Sequence, residues 1–508
     1  MRAYAALNEA VAEINDLMNA ISILNWDART QMPAGGTLTR GQQLATLSAI
    51  AQERLASDRL QTLLEAAEAE VASQPADGLE RRGVEAVRQA ADLFRRIPAA
   101  LTRELAQLRT TAQQSWAEAR AQQNFSLFAA DLERMFALNR ELAAIMGYQE
   151  HPYDAMVDLY EPGMTASKLR QLFAGLRQTL VPMVRAIANA AAPRTDFLFR
   201  TYPVEMQRDF ALKVAHSFGL DPQRSRLDAS LHPFEVSFTR QDVRITTRYR
   251  ENFLNPALFG VFHETGHALY EQNVDPALTR SALTSDLRNL YAVGGTSFGA
   301  HESQARLWEN LIGRSRWFWN HWFGQLQQTF PQSLADVDVE AFYRGVNAVQ
   351  PSLIRVEADE VTYNLHIMLR VEVEMGLMDG SIAVRDLPEV WNQKINDYLG
   401  VTPPNDAVGV LQDIHWSHGN IGSFPAYTIG NLMGAQLMET AHQQVAGLQE
   451  SLNQGDYQPL LHWLTETVYR HGRRYTVDEL LAQTTGQPLQ SQAFERYITQ
   501  KFSALYGV

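Results

Sequence analysis

From residue 3 to about 190, apolar side chains return every three or four positions, with Ala, Gln, Glu, Leu and Arg as filler. Glu80 to Leu93 and Asp131 to Met146 are typical stretches. That period follows one face of an α-helix, so this part of the chain is predicted to form long amphipathic helices. Breaks are expected where turn formers cluster, at Met32-Pro33-Ala34-Gly35-Gly36, Ile97-Pro98 and Glu161-Pro162-Gly163. The same texture returns from about residue 300 to the C-terminus. Between the two lies a segment with a different period. Phe234, Val236 and Phe238 alternate toward one side, and after Arg240-Gln241 the alternation resumes with Val243, Ile245 and Thr247. A period of two predicts a small hairpin or two short strands, and the stretch that follows, Ala257 to Gln272, reads as helix. The pattern therefore predicts a mainly α protein with a small sheet beside one helix. Length alone suggests roughly three domains, but linker-like stretches and internal repeats are missing, so residues 1–508 are expected to act as one unit.

Composition narrows the function. With 45% hydrophobic and 20% charged positions the chain can build a large core, and a net charge of −13 argues against a broad nucleic-acid or anionic-membrane face. There is no cysteine, which removes disulfides, thiolate metal sites, iron–sulfur clusters and a thiol nucleophile. Any metal must be held by His, Asp or Glu. No run of about 18 apolar residues predicts a membrane span, and the start lacks a secretory pattern, so a cytoplasmic enzyme is expected.

The chemistry concentrates in His263-Glu264-Thr265-Gly266-His267, an H-E-x-x-H pentad inside the predicted helix. Residues four apart share a helical face, so both imidazoles can reach one ion. Glu264 is turned about 100° away and suits proton transfer better than ligation. A catalytic metal needs a third ligand and an open position. His301-Glu302-Ser303-Gln304 is the best supplier, opening a helical run over Ala305 to Arg314; Glu271 and Glu309 are weaker rivals. The alternative for Glu302 is an acid favoured by a helix N-terminus.

The pentad together with His301-Glu302-Ser303-Gln304-Ala305-Arg306-Leu307-Trp308-Glu309-Asn310 resembles the carboxypeptidase Taq family of metallocarboxypeptidases. Further signatures stand in the same order: His232-Pro233-Phe234, Asp242-Val243-Arg244-Ile245-Thr246, Ile354-Arg355-Val356-Glu357-Ala358-Asp359, and Gly409-Val410-Leu411-Gln412-Asp413-Ile414-His415-Trp416. Asn25-Trp26-Asp27 and the stretch from Tyr153-Asp154 to Tyr160-Glu161-Pro162-Gly163-Met164-Thr165 are weaker echoes. The resemblance runs from about residue 20 to beyond 430. It implies a cytoplasmic homodimer, nearly all helical, with a central cleft, an N-terminal helical cover to about residue 200 and a catalytic part from about 201 to 508. It further implies removal of single residues from peptide C-termini with Zn2+, sometimes Co2+. His263, His267 and Glu302 are the implied ligands and Glu264 the implied base. Arg355, with Arg244 and His232, resembles the groups receiving the substrate carboxylate, and His415 a donor to the developing oxyanion.

The residues themselves leave alternatives. An Arg fork distinguishes a terminal carboxylate from an internal amide by paired charge-assisted hydrogen bonds. Arg355, beside Leu353 and Ile354, is expected on a partly buried helix, where a structural ion pair with Asp359 is the competing reading. Arg244 shares a strand face with Asp242, so a surface pair competes there. For His232 the competing reading is a packed turn residue, and for His415 a core histidine bonded to Asp413. Two departures from the family pattern stand out: the longer segment Asp275 to Asn289, and Ser423 where the family usually carries a Tyr. Tyr427 is the nearby phenol that can substitute. An oligopeptidase or aminopeptidase on the same metal site, and a weakly active or non-catalytic helical metal-binding protein, are the rival functions.

Overall fold

The computed structural model describes residues 2–508 and is 67% helix and 4% strand. The predicted breaks fall between helices: the N-terminal helix Arg2–Thr30 ends just before Met32-Pro33, Leu79–Arg96 gives way to Ala99–Gln122 around Ile97-Pro98, and Pro152–Asp158 is separated from Ala166–Ala188 by Glu161-Pro162-Gly163. Breaks that the apolar period does not mark are set by caps. Ser57 accepts from the Leu60 amide to start Asp58–Val71, and Gly147 closes Ser126–Met146 at φ 87°, a left-handed value that only glycine adopts without strain.

The chain forms two compact units, each built from separated stretches. The first takes the chain up to Arg95, Arg194–Val346 and Met433–Leu489; the second takes Arg96–Pro193, Asn347–Leu432 and Gln490–Val508. The helices before residue 200 are thus divided between them.

In the first unit, Leu7, Val11, Ile14 and Met18 of the N-terminal helix bury one stripe against Leu55, Leu60, Leu64, Ala67, Val84 and Val87. Ala282 and Leu287, from the segment that lengthens the spacer, enter the same core. Asp275 to Asn289 is therefore docked structure. It contains two short 3₁₀ turns, Pro276–Leu278 and Ala282–Thr284, and Asn15 Nδ2 donates to Ser281 O at 3.0 Å. Arg280, at φ 61°, grips Asp16 through Nε (3.0 Å) and Nη2 (2.6 Å).

The sheet has the predicted hairpin plus one unpredicted strand. β1 (Ser225–Ala229), β2 (Glu235–Thr239) and β3 (Asp242–Thr247) lie in the order β1-β3-β2, with β2 antiparallel and β1 parallel to β3. β1 escaped the sequence reading because its Ser-Arg-Leu-Asp-Ala pattern is mostly polar. On β3, Val243, Ile245 and Thr247 are buried as the alternation requires, and Thr247 Oγ1 donates to Ala257 O of the next helix at 3.2 Å. On β2 the expected face is interrupted. A register shift between Ser237 and Thr239 buries both Ser237 and Phe238, because a bulge places two successive residues opposite one. Arg224 and Arg240 then tie the sheet to the following helix by donating to Gln272 O, at 3.0 and 3.1 Å.

Candidate metal centre and active site

The pentad lies on the helix Asn255–Gln272, and Glu302 on the helix Phe298–Arg306, which begins three residues earlier than its motif suggests because Ser297 accepts from the Ala300 amide. The helices can approach this closely because residue 266 is glycine. A Cβ there would stand 2.4 Å from Gln304 O and 2.6 Å from Ala305 Cα, well inside contact distance. The result is a triad: Nε2 of His263 and Nε2 of His267 each lie 3.7 Å from Glu302 Oε2. Four-coordinate ligation at about 2.0–2.1 Å separates neighbouring ligand atoms by about 3.3 Å, so small adjustments would bring all three onto one divalent ion.

Each of the three candidate side chains is held from behind. Glu302 Oε1 accepts from Arg306 Nε at 2.7 Å, which leaves Oε2 toward the imidazoles. His263 Nδ1 is 2.9 Å from Glu309 Oε2, and Glu309 is flanked by Arg306 (3.3 Å) and Arg314 (3.5 Å). Glu309 sits on a π-helical turn, Leu307–Ile312, that replaces the end of the predicted α run. His267 Nδ1 is 2.6 Å from His301 Nδ1, and His301 Nε2 is 2.8 Å from Glu271 Oε1. The Glu271 carboxylate also accepts from the amides of Gly294 (2.9 Å) and Gly295 (3.2 Å) and from Ser237 Oγ (3.1 Å). An acceptor at the end of the relay puts the His301 proton on Nε2 and the His267 proton on Nδ1, freeing His267 Nε2 for an ion. Of the two rival ligands, Glu309 thus faces the ring nitrogen of His263 on the side away from the triad, and Glu271 faces His301, which stands between it and His267.

A family model, carboxypeptidase Taq (M32) metallopeptidase, matches residues 6–502. The chain belongs to the M32 family. It is 40% identical to thermostable carboxypeptidase 1 of Thermus thermophilus, with 99% of each chain covered, and 37% identical to carboxypeptidase 1 of Bacillus subtilis, with 98% of this chain and 97% of the relative covered. The M32 carboxypeptidase from Deinococcus radiodurans R1 is similar in structure, with a TM-score of 0.94 at 40% identity and all of both chains covered. As an M32 protein the chain is a metallocarboxypeptidase, a peptide-bond hydrolase that depends on a divalent metal.

The electrostatics of the M32 centre follow from burial. Burial foremost, with Glu302 and Glu309 adding to it, raises the Glu264 carboxyl to about 7; His263 and Arg29 pull against this. Burial lowers the His263 imidazole, but Glu302 and Glu309 outweigh it and lift it to about 9. A cation held by His263 would have to displace that proton, since imidazole ligates only when neutral. Burial, His301 and His263 keep His267 well below its usual range and therefore neutral. Despite burial, Arg306, His263 and Arg314 hold Glu309 down to about 2. On β2, burial followed by Glu271 and Glu264 drives the Glu235 carboxyl well above the usual range.

The remaining sequence candidates divide between the units. Arg244 and His232 belong to the first. Arg244 forks onto Asp242, Nε to Oδ1 and Nη2 to Oδ2 both at 2.9 Å, and stacks over Trp26 at 4.4 Å. His232 is exposed, and its carbonyl accepts from Ser230 Oγ at 2.9 Å. Arg355, His415 and Tyr427 come together in the second unit. Arg355 lies in a 3₁₀ turn, Arg355–Glu357, and not on the expected helix. Nor does it pair with Asp359, whose carboxylate is consumed by the amides of Val361 and Thr362 at 3.0 Å. Its partner is Asp413, reached by Nε (3.1 Å) and Nη2 (2.8 Å), while Nη1 donates to Tyr363 Oη at 3.1 Å.

The other oxygen of Asp413 accepts from Nε of fully buried Arg370 at 2.6 Å. His415 Nδ1 stays 3.9 Å from Asp413, too far to bond, and His415 Nε2 is 3.4 Å from Tyr427 Oη. Burial foremost, aided by Arg355 and Arg370, lowers His415 to about 4, so its ring is neutral. Ser423 Oγ donates to Asn420 O at 2.9 Å, a local turn bond. Sequence reasoning missed Arg370, His301 as a relay and Glu309 as the partner of His263. Glu309 carries a usable signal, since seven residues after Glu302 returns to nearly the same helical face.

Proposed function

We propose that the chain removes single residues from peptide C-termini with broad side-chain tolerance, with His263, His267 and Glu302 holding Zn2+, or Co2+ in its place. The observation that carries this reading is the Glu302 oxygen at 3.7 Å from both pentad imidazoles, with Glu264 next to His263 and itself buried. Held by these donors, a divalent ion would supply Lewis acidity toward a peptide carbonyl and a water.

Glu264 accepts the proton of the attacking water and passes it to the leaving amine, a task served by a carboxyl raised to about 7. Arg355 receives the substrate's terminal carboxylate. Its cluster supports this by charge, since two buried guanidiniums face the single carboxylate of Asp413 and leave one positive charge to be balanced. His415, being neutral, offers an N–H to the oxyanion, and the Tyr427 phenol beside it serves where Ser423 lacks one. Arg244 and His232 shape the substrate side of the metal unit. The enzyme acts in the cytoplasm as a homodimer, in keeping with the family resemblance.

The test is mass analysis of a peptide pool incubated with zinc- or cobalt-loaded protein, beside C-terminally amidated twins. A ladder shortened from the C-terminus, absent for the amides and abolished by chelation, is expected. Cleavage of the amidated twins would instead indicate an aminopeptidase or oligopeptidase. A chelated form that stays folded, joined to metal-dependent cleavage, excludes a purely structural metal.

A further inference from the structure

Arg29 occupies the last turn of the N-terminal helix Arg2–Thr30, and its side chain is solvent-exposed. Its guanidinium carbon lies 3.5 Å from the centroid of the Phe234 ring, and Nη2 donates to His232 O at 3.3 Å. Pro233, between those two residues, lies 3.9 Å from where a Gly260 Cβ would stand, and Gly260 is one helical turn ahead of Glu264. Arg29 is therefore fixed on the segment that packs against the catalytic helix beside the base, and its charge reaches Glu264.

The other arginines of this neighbourhood are already used. Arg244 is forked on Asp242, Arg306 on Glu302 and Glu309, and Arg314 contacts Glu309. Among the described residues no carboxylate pairs with Arg29. One backbone bond and a ring face orient its guanidinium, and that bond engages one of its five N–H donors. Stacking on an aromatic ring stiffens the side chain, so less entropy is lost when those donors engage an anion.

We propose that Arg29 is a second carboxylate receptor of this active site, a specificity-determining residue that binds a carboxylate of the peptide substrate. This rests on the carboxypeptidase reading above. The carboxylate has two sources, an acidic side chain flanking the cleaved bond or the terminal carboxylate itself. Arg29→Ala, Arg29→Gln and Arg29→Lys in the metal-loaded protein separate them. Peptide pairs carrying Glu or Gln at the last or penultimate position are compared by KM and kcat, with melting temperature as the folding control.

If Arg29 reads a side chain, Arg29→Ala raises KM about 10-fold or more for a Glu peptide and leaves its Gln twin within about twofold. If it reads the terminus, KM rises by a common factor for every peptide. In both cases Arg29→Lys recovers part of the loss. Unchanged KM across all pairs, or a change confined to kcat and its pH profile, overturns the proposal and leaves Arg29 as a charge acting on Glu264 alone. Calorimetric titration with Glu- and Gln-ended dipeptides reads the same ratios without turnover. A wild type that binds them but cleaves nothing would therefore strike the proposed function, while the variants still decide the role of Arg29.

Discussion

Replacing Gly266 by Ala isolates the contact on which the metal centre depends. Helix propensity alone predicts a gain of about 1 kcal/mol, because alanine is the better helix former. The structure predicts the opposite sign. The new Cβ would stand 2.4 Å from Gln304 O and 2.6 Å from Ala305 Cα, and both are backbone atoms that no rotamer change can move. An ordinary carbon–oxygen contact is about 3.4 Å, so the two helices must separate by about 1 Å at this level. Overpacking of that kind costs about 1–3 kcal/mol, more than the propensity gain.

The larger effect falls on the site, since the two imidazoles ride on one helix and Glu302 on the other. Metal–ligand distances tolerate about 0.2 Å, so a 1 Å displacement of Glu302 loosens the ion. A misplacement of about 1 Å is worth about 100-fold in rate. Gly266→Ala is therefore expected to lower melting temperature modestly, to lose metal on dialysis, and to drop kcat/KM by about 100-fold or more. Metal content by mass spectrometry, calorimetry and steady-state kinetics on one preparation measure all three. A variant with full metal occupancy and kcat/KM within threefold of wild type would refute the close-approach argument.

Three further outcomes are expected. Glu264→Gln should retain the metal while turnover falls by about 10²–10⁴, the usual range for losing a general base, and wild-type hydrolysis by this variant removes Glu264 from the mechanism. His301→Phe keeps a ring at the position but cuts the link from His267 to Glu271, so metal affinity, read by competition with a chelator, should weaken about 10–100-fold; unchanged affinity denies the relay any role in holding His267. Glu374 is raised by burial to about 7, although Tyr153, Trp416 and the Gly422 amide bond to it. Because the folded state keeps this proton up to about 7 while the unfolded chain releases it near 4.5, unfolding free energy falls as pH rises through that interval. The wild type should therefore lose melting temperature relative to Glu374→Gln between these values, and parallel curves would show that Glu374 does not titrate there.

How much of this was legible in the chain varies with the range of the interaction. The helical period, the proline and glycine breaks and the β2–β3 hairpin are properties of neighbouring residues, and they appear in the structure where the pattern puts them. The pentad also is local: two imidazoles four residues apart meet on one face of any helix that forms there. Glu302 was within reach because family motifs recur in order. The bulge on β2, by contrast, is set by pairing with β3, and the alternation of Phe234, Val236 and Phe238 gives no hint of it.

The same limit governs the charged residues. Arg355 has an acid four positions along, yet Asp359 is spent on backbone amides and the true partner, Asp413, is 58 residues away. Arg244 did keep its near neighbour Asp242, because a strand holds residues two apart on one side. Residue types and spacing thus determined which groups are able to ligate, transfer protons or carry charge. Tertiary structure decided which of them are already neutralised. Pairing depends on distances of a few ångströms between segments that the chain separates by tens or hundreds of residues, and on the burial that makes an unpaired charge costly.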